Sequence, residues 1–240
     1  MNFKQINKVS ADEFYKCIPS VACVVTGVFT QPWIHASRVL NKKGFEVLIE
    51  DESTRDITVP IEIQEPGIPL TQESRHEIPL DLFIKLFIQN EERVLPKRGY
   101  LAQFNLIEKT PYLRNLLPPI PEIQNLQPKS NSWLGPKHTL TPIHRDAATE
   151  SNVLLQVTGS KRVNVIHPKY SNHLNLHPIN SPLRNFSKFI EELPNQQVPI
   201  QVESAILNPG DAVFIPPGHF HSFKSLSNSF SVNFWFVNRP

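Results

Sequence analysis

The sequence predicts a mainly β protein: a closed or double-sheet architecture of jelly-roll type, preceded by a helix-and-strand support region. Three observations lead there. Proline is used 23 times in 240 residues and glycine only 8 times. That proline content is about twice the average of roughly 5%, and it limits long helices while favouring short strands joined by punctuated turns. From Gly99 onward, short runs of β-branched and aromatic residues alternate with turn signals. The hydrophobic fraction of 40% can support a core, and one domain or a closely fused pair fills this length.

In chain order, Ser10-Ala11-Asp12-Glu13 reads as a capping box opening a short helix. Val21 to Val28 is a buried-strand candidate, ended by Gly27 and a turn at Gln31-Pro32. Phe45 to Ile49 and Ile57 to Ile63 are two further short strands. Pro79 starts a helix whose apolar residues Leu80, Phe83, Ile84 and Phe87 share a face. Residues 1–98 thus form a helix/strand region packed on a second unit, 99–240, within one compact body. In the second unit, Tyr100 to Ile107 begins as a strand. Pro111 to Pro136 carries six prolines and reads as irregular, with a helical turn at Tyr112 to Leu116. Strands follow at Ser132–Leu134, Asn152–Val157, Arg162–Ile166, Ser204–Leu207, Ala212–Ile215 and Ser229–Val237. Thr158-Gly159-Ser160-Lys161 and Asn208-Pro209-Gly210-Asp211 are turns between them. His167 to Pro199 is a long insertion expected to hold one helix, Leu183 to Leu193.

Several functional classes are excluded at this stage. Twenty-four Lys and Arg against 22 Asp and Glu leave a formal charge of +2, too mild for phosphate-backbone binding, so no direct nucleic-acid contact is expected. Cys17 and Cys23 form neither a zinc knuckle nor a disulfide framework. The first 20 residues have no signal-peptide core, and the longest apolar run, Val21 to Phe29, is far short of the roughly 20 residues of a membrane helix. An intracellular setting, nuclear or cytoplasmic, is expected, with no membrane partner. The sequon at Asn185-Phe186-Ser187 is read as chance.

Nine histidines are spread along the chain. His35, His76, His167, His173 and His177 read as ordinary surface or half-buried residues. His144-Arg145-Asp146 ends a strand-like approach from Thr139, and residues i and i+2 of a strand face one side. A second histidine, from Gly218-His219-Phe220-His221, would complete two nitrogens and one carboxylate around an ion. That set leaves positions open and suits non-haem Fe(II). Spacing alone leaves open whether this is a metal centre or a β protein with scattered histidines.

Five ordered motifs bear on the choice: Gly99-Tyr100-Leu101-Ala102-Gln103, Trp133-Leu134-Gly135-Pro136, Thr141-Pro142-Ile143-His144-Arg145-Asp146, Asn152 to Lys161, and Phe230-Ser231-Val232-Asn233-Phe234-Trp235. Together they resemble the Jumonji-C (JmjC) 2-oxoglutarate oxygenases, nearest the small branch that includes the JmjC arginyl hydroxylase once described as a histone demethylase. The resemblance runs from about Val21 to the C-terminus. It implies a double-stranded β-helix of cupin-like type, with Fe(II), 2-oxoglutarate and O2 as cofactor and cosubstrates. It implies His144, Asp146 and His221 as iron ligands, with His221 chosen over His219 because the pattern places the ligand six residues after Ile215. It implies Lys161, Tyr100 and Thr141 around the distal carboxylate of 2-oxoglutarate, and Asn152 beside the cosubstrate.

On the substrate side the resemblance implies Glu62 and Trp133 lining the pocket, with Gln103 adding an amide. A carboxylate pairs bidentately with a guanidinium, and an indole face adds cation–π attraction. The expected reaction is hydroxylation of an arginyl side chain in a protein substrate, histone, ribosomal or chromatin-associated, with succinate and CO2 as coproducts. Lysyl demethylation is the alternative, less favoured for want of a reader domain or zinc-binding extension in these 240 residues. A non-catalytic JmjC-like binding module and a zinc-dependent cupin isomerase are the others. One departure stands out: Ala147 to Ser151 carries two residues more than the pattern.

Overall fold

The computed structural model describes residues 2–54, 56–65, 74–89, 97–189 and 200–237. Two sheets dominate it. The smaller has five strands in the order β1, β11, β10, β13, β8: Asn2–Gln5, Gln201–Leu207, Lys161–Ile166, Phe220–Ser225 and Leu140–His144. The larger has nine, in the order β2 (Asn7–Ser10), β3 (Cys23–Thr26), β12 (Ala212–Ile215), β9 (Glu150–Thr158), β14 (Ser229–Val237), β7 (Lys129–Gly135), β6 (Arg98–Phe104), β4 (Thr58–Gln64) and β5 (Arg75–Pro79). All pairings are antiparallel except β1 with β11 and β2 with β3. The expected double-sheet β architecture is therefore present. Each sheet contains strands from both sides of Gly99, the earlier ones lying toward its edges. No helix among the described residues is long and apolar enough to cross a membrane.

The sheets pack face to face because each strand presents one apolar side. Val24, Leu154, Val163, Val165, Val213, Ile215 and Phe223 interdigitate between them as one buried cluster. The outer face of the large sheet is covered by α1 (Ala11–Lys16), α2 (Gln31–Lys43), α3 (Glu46–Glu50), α4 (Leu80–Phe83), α5 (Leu106–Lys109), α6 (Pro111–Leu116) and α7 (Pro121–Gln124). Their buried residues join Val153, Leu155, Val157, Phe214 and Phe230 in a second, larger core. The capping box of α1 forms as expected: Ser10 accepts from the Glu13 backbone, and the Ser10 backbone donates to the Glu13 carboxylate.

Four local expectations need correction. Gln31-Pro32 is not a turn but the first turn of α2, where proline lacks only a donor that would be unpaired anyway. Trp33, Ala36, Ser37 and Leu40 are its buried face, tied down where the Trp33 indole donates to Pro118 O at 2.7 Å and the Ser37 hydroxyl to Val157 O at 2.7 Å. Phe45 to Ile49 is not a strand. After Gly44 ends α2 at φ 71°, the chain folds back as α3 so that Phe45 packs on Phe230 and Leu48 is buried. A short apolar run has no periodicity to separate strand from helix, so packing decides it. Pro111 to Pro136 is more ordered than expected, holding α6, α7 and β7. The predicted helix Leu183–Leu193 is absent over Leu183–Phe189, which makes a turn and two isolated bridges; 190–193 lie outside the described residues.

Candidate metal centre and cosubstrate pocket

The site sits where the edge of the small sheet faces the large one. His144 ends β8 and His221 lies on β13, and these are direct cross-strand partners with ring centroids 4.3 Å apart. Asp146 follows β8 by two residues. Its Oδ1 is 3.8 Å from His144 Nε2, and its Oδ2 is 3.6 Å from His221 Nε2. One donor atom from each residue falls within 4.8 Å of the others, a span that a single ion can bridge. Among the described residues this is the one such group of three.

Second contacts aim these donors. His144 Nδ1 lies 2.9 Å from Pro142 O, and His221 Nδ1 lies 3.3 Å from His219 O. A carbonyl can only accept, so each Nδ1 carries the proton and each Nε2 offers its lone pair toward Asp146. Burial first, then the adjacent His221, pushes His144 down to about 4 despite Asp146, so the ring is neutral and ready to ligate at neutral pH. For Asp146, burial alone would raise the carboxyl. The adjacent His221 and His144 rings, with hydrogen bonds from Trp235 and Asn152, overcome it and hold the group below the usual carboxylate range. The result is one carboxylate and two imidazole nitrogens on one side of an ion position, a donor set that fits an octahedral Fe(II) with open positions.

The residues present also fit a dicarboxylate. Lys161, at the start of β10, is 1% exposed, and no carboxylate pairs with it among the described residues. Its Nζ donates to the Tyr100 hydroxyl at 3.2 Å. Burial alone drops its pKa to about 7. A fully buried ammonium without a counter-charge is costly, which marks the place where an anionic ligand group belongs. Tyr100, raised by burial and hydrogen-bonded to Thr141, completes a three-donor cradle around that place. Tyr100 reaches it only because Gly135 has no side chain: a Cβ there would meet the Tyr100 ring at 2.5 Å.

Of the ten residues singled out from sequence, nine line one cavity. They are the three candidate ligands, the four candidate cosubstrate residues, Trp133 and Gln103. Gln103 points there because β6 bulges between Leu101 and Phe104, with Gln103 itself at φ 55°. Bulges re-aim side chains beside functional sites. Glu62 does not line the cavity. It lies one strand outward on β4, opposite Tyr100, and holds Arg75 of β5 at 3.3 Å.

Sequence reasoning missed four residues. Asn233 accepts from the Trp133 indole at 2.9 Å and donates to Asn152 at 3.4 Å, and Asn152 donates to Asp146 Oδ2 at 2.9 Å. With Trp235, this joins Trp133 to the carboxylate ligand. The signal was available, since 231, 233 and 235 alternate on one face of β14. Phe186 is the third. Its ring stacks on His144 at 4.9 Å and 14°, carried there when Ser187 N bonds Ile143 O and Arg145 N bonds Asn185 O along the free edge of β8. Nothing in the sequence pairs a loop phenylalanine with a histidine 42 residues earlier. Phe186→Ala is expected to weaken Fe(II) retention about tenfold, the low end of the cost of losing a partner that orients a ligand. Equilibrium titration against a competing chelator checks it, and an unchanged affinity would mean that the stack does not hold the ring. Arg75 is the fourth.

The sequon at Asn185 is not an accessible loop. Ser187 is buried, and its hydroxyl donates to Leu174 O at 2.6 Å.

A family model described as a cupin-like domain matches residues 17–240. JmjC domain-containing protein D of Dictyostelium discoideum is 35% identical over 195 residues, covering 72% of this chain and 43% of that protein. Lysine-specific demethylase 8 of Danio rerio is 34% identical over 191 residues, covering 74% and 45%. Jumonji C domain-containing protein 5 of Drosophila melanogaster is 30% identical over 192 residues, covering 74% and 46%. The chain spans less than half the length of each of these relatives.

Proposed function

This chain belongs to the cupin-like family of JmjC-domain proteins, and on that premise we propose that it is an Fe(II)- and 2-oxoglutarate-dependent protein hydroxylase acting on arginyl side chains. The observation that carries the reading is a buried Lys161, with no carboxylate partner among the described residues, in the same cavity as the His144, Asp146 and His221 donors. The two features ask for different halves of one small molecule. A 2-oxo acid chelates a metal at one end, and a five-carbon diacid presents its second carboxylate a few ångströms away.

In this reading His144, Asp146 and His221 hold Fe(II). Lys161, Tyr100 and Thr141 receive the distal carboxylate, and Asn152 steadies both Asp146 and the cosubstrate. When bound there, iron with 2-oxoglutarate and O2 would supply the oxidation of a substrate C–H bond to an alcohol, with succinate and CO2 as coproducts. The protein's own work is to bind, aim and keep dry. Lys161 neutralises the charge, the Asn233–Asn152 chain fixes the orientation of Asp146, and Trp133 with Trp235 walls the cavity on the substrate side.

Arginine is favoured as substrate by an indole, Trp133, in the cavity wall and a half-buried carboxylate, Glu62, one strand outward beside Tyr100. A planar guanidinium suits both. The names of the relatives, lysine-specific demethylase 8 among them, support lysyl demethylation as the second reading. The partner is in either case a side chain of a protein, of histone, ribosomal or chromatin-associated type, in an intracellular setting.

Mass spectrometry separates the two. Arginyl and methyl-lysyl peptides incubated with the protein, iron and 2-oxoglutarate are expected to show gain of one oxygen on arginine. Loss of a methyl group with release of formaldehyde from the methyl-lysyl peptide alone would replace the arginyl reading with demethylation.

A further inference from the structure

Glu62 is already occupied. Arg75 on β5 is its direct cross-strand partner, and the Arg75 Nη2 donates to Glu62 Oε1 at 3.3 Å. On the other side Glu62 faces Tyr100 of β6, whose ring lies 5.9 Å from that of Trp133. Directly opposed residues of adjacent antiparallel strands share a face. Arg75, Glu62 and Tyr100 therefore form a row running from the outer edge of the large sheet to the cavity.

The two ends of the ion pair are unlike. The Glu62 side chain is 18% exposed and Arg75 is 65% exposed. A carboxylate that far out of water needs a cation, while a mostly solvated arginine on an edge strand is readily released. The contact is a single N–H···O bond rather than a two-pronged one, and exposed pairs of this kind contribute little net. A guanidinium arriving from the cavity side has more to gain. Meeting the carboxylate in two-pronged geometry, it makes the second N–H···O bond that Arg75 does not.

Building on the arginyl reading above, we propose that Arg75 is the resident guanidinium of Glu62, an internal competitor that a substrate arginine displaces by exchange. Glu62 is then never left unpaired, and substrates without a guanidinium cannot drive the exchange fully. Arg75 acts on specificity through Glu62 and takes no part in the chemistry.

The test uses the full chain loaded with Zn(II), a diamagnetic stand-in for iron, and 2-oxoglutarate. The probe is N-acetyl-arginine amide. With arginine labelled by 15N, the Arg75 Nε–H resonance is expected to move toward its free-arginine position as the probe saturates, and to stay there in Glu62→Gln from the outset. Arg75→Gln is expected to bind the probe about three- to fivefold tighter, the size of a weak exposed pair. In the iron enzyme the same variant is expected to lower KM for an arginyl peptide, with the change carried by KM rather than kcat. A stationary Arg75 resonance at saturation, or no tightening in Arg75→Gln, overturns the exchange. Turnover of arginyl peptide with an unchanged KM in Arg75→Gln likewise overturns it while leaving the arginyl reading intact. Displacement of Arg75 by the probe without any arginyl oxidation supports the exchange and overturns the arginyl reading instead.

Discussion

His144→Ala is expected to abolish Fe(II) capture and turnover together while leaving the fold in place. Three donors are few for a divalent ion in a protein, and each carries a share of the coordination that water cannot replace in a buried site. Loss of a residue that only orients a ligand costs about 10–100-fold in affinity or activity, so loss of the ligand itself is expected to exceed the upper end of that range. His144 ends β8 at the sheet edge, and its ring rests on Phe186 and His221 rather than in an apolar cluster. Truncation there removes donor chemistry more than packing. Anaerobic titration with Fe(II) and 2-oxoglutarate is the measurement: the wild-type protein is expected to show a metal-to-ligand charge-transfer band and the variant none, with unchanged far-UV circular dichroism. A variant that keeps both the band and turnover would remove these three residues from consideration as the metal centre.

Lys161→Met is expected to have the second largest effect, on cosubstrate affinity. Removing one member of a buried, hydrogen-bonded charge pair costs about 2–5 kcal/mol, roughly 30- to 4,000-fold in the Kd of 2-oxoglutarate. The same substitution is expected to stabilise the cosubstrate-free protein, because it removes a buried charge that has no counter-ion among the described residues. The pH dependence follows from the burial-depressed pKa of about 7 against 10.5 for an ordinary lysine. Between those values the unfolded chain binds more protons at this residue than the folded one, so this group makes the stability of the free protein rise with pH across that window. Its penalty is fully developed below pH 7 and vanishes above 10.5. Lys161→Met should flatten that slope. Cosubstrate affinity runs the other way. The ammonium form binds the carboxylate, so the wild-type Kd should worsen as pH climbs above about 7, by up to about tenfold per pH unit. Thermal melts and isothermal titrations between pH 6.5 and 9.5 measure both trends. A Kd that is flat with pH, or equal in the variant, would show that Lys161 does not bear the cosubstrate's charge.

The contrast between these residues and Phe186 or Arg75 shows what a linear reading can reach. His144 and Asp146 are two residues apart, and the two-residue period of a strand puts them on one side without any knowledge of the fold. Lys161, Asn152 and Trp133, which line the cavity, were legible through the order of the family-like motifs that contain them. Glu62 was legible as a residue type but misplaced as a lining residue. Whether a strand residue faces the cavity or its rim depends on how many strands lie between them, and that count is set by the sheet order, with β4 outside β6. Helix α2 was hidden because proline reads as a breaker in isolation and as an initiator only when a following face is buried. Strand β13 was hidden because Phe220–Ser225 alternates little in polarity and is buried from both sides.

By itself the sequence determined the β-rich, proline-stiffened class of the chain, the two-residue metal-ligand spacing, and the cation in a turn-proximal strand. These depend on chemistry and short-range periodicity, which are properties of neighbours along the chain. The choice of His221 over His219, implied by motif register, acquires its physical reason only in the tertiary structure, where β13 pairs with β8 so that His221 lies opposite His144 and beside Asp146. Tertiary structure alone also revealed that Lys161 is buried without a counter-ion among the described residues, that Phe186 backs the first ligand, and that Arg75 occupies Glu62. Each of these is a contact between distant segments. Long-range pairing sets such contacts, and side-chain identity alone cannot encode which strand will lie beside which.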